Sequence, residues 1–219
     1  MKKQTYLLLT LCILSFLGHF LVFFQMPDTV PIHWNVSGEP DGYANKLATL
    51  FFALLPLLML GLLNVIPKID PRGKNYEKHK KAYDVFSLCL ILLLIALNWI
   101  SNGAILGYPV SISRLVPTGV GFLLIAVGNY MPQLRTNYTM GIKNPWTLES
   151  EWVWKKTHAM GGMVFCLMGV AMALNGIFQT VLMSRIAFGA VLGGVVFLEF
   201  YSYLLYRKWK KAEAHKEVL

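Results

Sequence analysis

The sequence predicts an all-α polytopic membrane protein, a bundle of six transmembrane helices. Three observations predict it. Six apolar runs each approach the roughly 20 helical residues that cross a hydrocarbon core about 30 Å thick. Hydrophobic residues make up 56% of the 219, and the mean hydropathy is +0.52, too apolar for a soluble chain of this length. The basic residues gather in alternate connections, as they do around spans of fixed orientation. The connections leave no length for a separate soluble unit, so residues 1–219 read as one membrane domain.

The first run, residues 5–24, follows Lys2 and Lys3 and resembles the opening of a signal peptide. It is longer than a signal's apolar core, and Gln25-Met26-Pro27 is a poor cleavage site, so it is read as a retained span. The other five runs occupy 48–66, 85–103, 111–130, 160–178 and 183–206. Hydrocarbon offers no hydrogen-bond partner, so each run must satisfy its own backbone as a helix. Pro56 and Pro117 are candidate breaks in runs two and four. Cys12, Cys89 and Cys166 fall singly within runs, with no spacing for a disulfide or a metal.

A net charge of +9 invites a nucleic-acid reading, and its distribution removes it. With the N-terminus inside, all of the 20 basic residues except Lys46, Arg114 and Arg185 fall on the inner side. Both termini are therefore expected in the cytoplasm, in the cell membrane, with no direct nucleic-acid contact. The partner of this charge is the lipid bilayer and its anionic headgroups.

Two connections are dense in unusual residues. The outer loop, residues 25–47, contains three prolines and two glycines and reads as an extended segment over 29–35, then a turn over 37–42. Trp34 and Tyr43 suit the headgroup zone. The loop is either a lid on the bundle or a recognition surface; His33, Glu39 and Asp41 lack a metal motif's spacing. In the inner loop, residues 131–159, Thr147 after Pro145 reads as the N-cap of a helix. Glu149 and Glu151 precede Lys155, Lys156 and His158, as the helix dipole prefers. Trp146, Trp152 and Trp154 suggest that this helix lies along the membrane interface, as an anchor or a docking surface.

These two loops carry a family resemblance. His33-Trp34-Asn35, Gly38, Asp41 and Lys46 resemble the DUF1648 signature. Asn137, Gly141-Ile142, Pro145-Trp146-Thr147-Leu148, Trp154, Thr157 and His158 resemble the signature of the SdpI family, membrane immunity proteins of bacilli and related Gram-positive bacteria. The resemblance implies protection of a cell from its own secreted SDP peptide toxin. It also implies signalling, in which a cytoplasmic transcriptional autorepressor is held at the membrane. The outer residues are then toxin-recognition candidates, and the inner ones, with Lys143, signalling candidates. Where the family usually has Arg-Thr, this chain has Lys143-Asn144, a point charge in place of a planar fork.

Within the spans, Glu199 is the one carboxylate deep in a run, eight residues before Arg207. It is expected to face the bundle and find a partner, with His158 the candidate. His19, Asn64, Asn98, Asn129 and Asn175 read as interhelical hydrogen-bond glue. Gly189 with Gly193, and Gly169 with Ala173, are small-residue pairs that let helices approach closely within the bundle or across a homodimer. No HExxH, GxSxG or P-loop motif is present, so the expected function is binding, without catalysis or cofactor. The rival is a small transporter or exporter with Glu199 and His158 along its path.

The charge asymmetry makes topology testable. Reporters fused after Lys81, Lys156 and Leu219 should read cytoplasmic, and one near Glu39 should read external. A cytoplasmic signal at Glu39 would invert the arrangement.

Overall fold

The computed structural model describes residues 2–217. The Leu219 fusion point and the side chains of Lys2 and Lys216, counted above as inner charges, lie outside the described residues. Helix α1 (Lys2–Phe23) leads into strands β1 (Thr29–Trp34) and β2 (Pro40–Asn45). Then follow α2 (Leu47–Ile69), a single turn α3 (Asn75–Lys78), α4 (Lys80–Ile105) and α5 (Ile112–Tyr130). After a 3-10 turn at Met131–Gln133 come α6 (Pro145–Glu149), α7 (Glu151–Phe178) and α8 (Val181–Glu217). Six of these helices are long and apolar enough to cross a membrane, one for each run in the sequence. The protein is an all-α polytopic membrane bundle.

Two expectations about the helices change. Pro56 and Pro117 do not break α2 or α5, which continue through both. The last helix runs well beyond residue 206: its 37 residues rise about 55 Å, more than a bilayer needs.

The connections divide between two ends of the bundle. One end carries the β1–β2 hairpin and the α4–α5 and α7–α8 turns. The other carries α3 and the long 131–150 loop. The hairpin is antiparallel, with Thr29 opposite Asn45 and Trp34 opposite Pro40, and irregular register around His33. The extended segment was legible, but the turn falls earlier than expected, and residues 40–42 belong to the second strand.

Helices α1, α2 and α4 pack around Leu8, Cys12, Leu60, Leu63, Tyr83 and Ile91. Helices α5 and α7 meet through glycine. A Cβ on Gly121 would lie 2.6 Å from the Gly169 carbonyl oxygen, and one on Gly128 would lie 2.6 Å from that of Gly162. At Gly176 it would lie 2.5 Å from the Arg114 oxygen. No side chain fits between these backbones. The Gly169–Ala173 pair therefore works as the sequence suggested. The Gly189–Gly193 pair makes no such approach within the bundle: a Cβ added at either would meet nothing within 4 Å. Helix α8 presents to the bundle a different face, carrying the buried Ala187, Leu198 and Ser202, with Gly194 against Met168.

This difference predicts a contrast between glycines. Gly128→Leu and Gly169→Leu should each cost about 2–3 kcal/mol or more, because overpacking has no flexible neighbour to displace. Gly189→Leu should leave stability unchanged or raise it by up to about 0.8 kcal/mol, since its site is open and leucine favours helix. Thermal unfolding in detergent micelles reads all three.

Candidate functional site

The 131–150 loop folds into the mouth of the bundle and satisfies its backbone with side chains. Asn137 is fully buried. Its Nδ2 donates to the carbonyls of Arg135 and Met140, and its Oδ1 accepts from the amides of Thr139 and Met140. Asp70, at the end of α2, accepts from the amides of Arg72 and Tyr138 and the hydroxyls of Tyr76 and Thr139. Burial alone would raise its pKa, but these four hydrogen bonds outweigh it and hold the carboxyl below the ordinary carboxylate range. Burial, reinforced by Asp70, pushes the Tyr76 hydroxyl up to about 12.

The next turn depends on His158. Gly141 has φ +116°, and a Cβ there would run into the His158 ring. Only glycine fits on both counts. Ile142 N then donates to His158 Nε2 at 3.0 Å, and His158 Nδ1 lies 2.8 Å from the Trp154 carbonyl. A backbone amide donates and a carbonyl accepts, so the ring is neutral with its proton on Nδ1. Trp154 stacks on the ring at 4.0 Å between centroids, and its Nε1 donates to the Leu134 carbonyl. Lys143 Nζ donates to the Thr139 carbonyl at 2.6 Å and that of Tyr138 at 3.2 Å, closing the loop on itself.

Several sequence expectations are corrected here. Asn144, not Thr147, is the N-cap: Thr147 N donates to its Oδ1 at 3.0 Å, while Asn144 N donates to Thr147 Oγ1. Pro145 at the first helical position should have indicated this. Helix α6 lasts one turn, and Ser150 caps a fresh helix that carries Trp152 and Trp154 straight into the fifth span. Trp154 is 1% exposed, so no interfacial helix forms around it. His158 is not the partner of Glu199. Glu199 lies on the exposed flank of α8, where its Oε2 accepts from Asn144 Nδ2 at 3.1 Å. Glu199 therefore sits beside the loop, bonded to Asn144, and not against His158. Ser202 accepts from both Asn144 Nδ2 and Trp146 Nε1.

Of the inner candidates, Asn137, Thr147, Trp154, Thr157 and His158 are each 1% exposed or less. They shape the loop and have no surface to offer a partner. Lys143 and Pro145 are exposed, with Gly141, Ile142, Trp146 and Leu148 half-buried. Asp70, His79 and Ser202 escaped the sequence reading, because each is defined by partners distant in the chain.

At the hairpin end, the outer candidates build the hairpin. Asn35 Oδ1 accepts from the amides of Ser37 and Glu39, and Gly38 takes φ +82° against Ser113. His33 Nδ1 lies 2.5 Å from Asp41 Oδ1, an exposed cross-strand pair. Lys46 pairs with Asp28 and lies over the Phe23 ring. Trp34, with Pro31 and Ile32, roofs an apolar cavity of about 350 Å³ between α2, α4 and α5. Asn98 lines it, and its Nδ2 has no acceptor. One turn nearer the hairpin, Asn102 Nδ2 donates to His19 Nδ1 at 2.9 Å, so His19 does serve as interhelical glue.

Comparison with known proteins bears on both ends. Residues 10–60, which hold most of α1, the hairpin and the first part of α2, match a domain of unknown function, DUF1648. Residues 133–203, from the loop through Ser202, match the SdpI/YfhL protein family. The chain is also 29% identical over 208 residues to "Immunity protein SdpI" of Bacillus subtilis (strain 168), covering 95% of this chain and 98% of that protein. The chain is thus similar to the SdpI family, by a family match over its second half and by a relative aligned along almost its whole length. No solved structure matches it. The family match ends at residue 203, so it takes in Glu199 and Ser202 with the loop they bind.

His79 supplies a pH prediction for this end. Its Nδ1 accepts from Arg135 N at 3.1 Å, so it must stay neutral, and burial followed by the Arg135 charge lowers its pKa. A buried base of lowered pKa binds fewer protons folded than unfolded. Its stability contribution is therefore full above the ordinary value of about 6.5 and falls as pH drops towards the folded value. Between pH 7 and 5 the Tm of the parent should decline. His79→Asn, which keeps an acceptor for Arg135 N without a titratable ring, should flatten that decline.

Proposed function

We propose that the chain is a membrane immunity protein that protects its cell from a secreted SDP-type peptide toxin. The observation that carries this reading is similarity along almost the whole length to a protein named for immunity. In this reading residues 1–219 form one membrane domain, with the hairpin outside and both termini in the cytoplasm. The work is binding and not catalysis. Grouping of the basic residues at the loop end supports the orientation.

The hairpin residues His33, Trp34, Asn35, Gly38, Asp41 and Lys46 then face the toxin. Asn35 and Gly38 serve by holding the turn, while His33, Asp41 and Trp34 present side chains. The loop end signals by holding a cytoplasmic autorepressor at the membrane. Its contact surface comprises Lys143, Pro145 and the neighbouring Tyr138 and Trp152, all exposed. The buried Asn137, Thr147, Trp154, Thr157 and His158 maintain that surface from beneath. A transport path through Glu199 and His158 has no support from their geometry, since both His158 nitrogens are engaged and Glu199 bonds elsewhere.

Expression in a toxin-sensitive bacillus should raise survival against the peptide without any repressor gene, and should not protect against unrelated membrane-active peptides. His33→Ala and Asp41→Ala should reduce survival at unchanged protein level. Lys143→Ala with Trp152→Ala should reduce promoter induction while survival holds. Well-inserted protein that protects against no such peptide would remove the immunity reading.

A further inference from the structure

We propose that the cavity beneath the hairpin binds a short apolar stretch of a membrane-inserting peptide, with Asn98 donating to one of its main-chain carbonyls. This deepens the immunity reading and rests on it for the peptide's biological role.

The cavity's volume, about 350 Å³, falls in the range of ligand sites, and its walls are apolar with few polar groups, as such sites are. Pro31, Ile32 and Trp34 of the hairpin form its roof, with Phe52, Leu97 and Val116 among its walls. Asn98 is 6% exposed, and its amide nitrogen meets no acceptor in the protein. Buried donors almost always have partners, so this one marks a place where an acceptor is brought from elsewhere. A comparable cavity of about 310 Å³ near the loop end, walled by Met59, Phe86 and Phe165, has no unpartnered buried side-chain atom among its lining residues. The donor distinguishes the hairpin-end cavity.

Depth selects the occupant. Asn98 stands seven residues before the end of α4, about 10 Å along a helix whose 26 residues rise about 39 Å. The headgroup layers add only about 5–8 Å to each side of the hydrocarbon core, and a lipid's ester carbonyls stay in those layers. An acyl chain reaching Asn98 carries no acceptor. A peptide carries a carbonyl on every residue, and each has two lone pairs, so even a helical peptide can accept a further hydrogen bond.

The test uses full-length protein in nanodiscs and two photoreactive probes. One is a leucine–alanine peptide of roughly 18 residues carrying photo-leucine; the other is phosphatidylcholine with a photoreactive acyl chain. Peptide cross-links should map to the hairpin and residues 94–102. They should fall at least about fivefold in Ser101→Trp, which fills the cavity, and in Asn98→Leu, which removes the donor. Asn98→Leu should leave Tm unchanged or raise it, because a buried unpaired donor gives way to an apolar group of similar size. The proposal is overturned if the lipid probe labels these residues and excludes the peptide, or if Asn98→Leu leaves peptide labelling intact. A marked drop in Tm for Asn98→Leu would also overturn it, by making Asn98 a structural donor. Survival assays separate the two readings. Labelling by a wild-type protein that gives no protection sinks immunity and spares the cavity. Full protection by Ser101→Trp sinks the cavity and spares immunity.

Discussion

Because α5 and α7 touch backbone to backbone, the loop between them has to turn back in the space directly beneath their ends. Gly121 against Gly169 and Gly128 against Gly162 leave no side chain to hold the helices apart. The loop's inner side is pressed onto Trp154 and His158, buried residues near the start of α7. A backbone in that position must find internal donors and acceptors or lose stability with each one left unmade. Asn137, Asp70, His158 and Asn144 supply them. The glycine contact and the polar side chains of the loop are thus one structural requirement met in two places.

That requirement explains why the loop's motif was visible in the sequence while its roles were not. Asn137, Gly141, Thr147 and His158 stand out as unusual residue types, and a partner-facing surface is a natural reading of such a cluster. Their burial shows that the unusual types answer the backbone's needs: an amide for four loop groups, a glycine for φ +116°, and a ring nitrogen for Ile142. The spans were legible because hydropathy and length alone define them. Asp70 was not, because beside Lys68 and Arg72 it reads as an ordinary surface charge. Its partners Tyr138 and Thr139 lie almost 70 residues away.

The hairpin was half-legible for a different reason. Thr29–Trp34 includes β-branched and aromatic residues, whereas Pro40–Asn45 is built from Pro, Asp, Gly, Ala and Asn with one tyrosine. Such residues carry little strand propensity, and pairing is imposed by context. Asn35 folds the turn and Gly38 permits it, while Val30, fully buried, pins the first strand to the bundle. The two signatures therefore differ in kind. At the hairpin, the unusual residues make a cover whose side chains remain accessible. At the loop, they make a plug whose side chains are spent inside.

This difference bears on where ligands can act. A side chain with all its hydrogen bonds made inside the protein can influence a partner only by moving the surface it supports. The loop's six or so hydrogen-bonding side chains are mostly of this sort, although His79 Nε2 and Thr157 Oγ1 remain without partners. Neither of those two lines the hairpin-end cavity or the loop-end cavity. Asn98 combines an unmade hydrogen bond with space beside it and an accessible cover above it. A chain that kept such a group only for stability would gain by exchanging it for leucine. Its presence there is explained more simply by binding, and the hairpin's exposed residues would then select what enters.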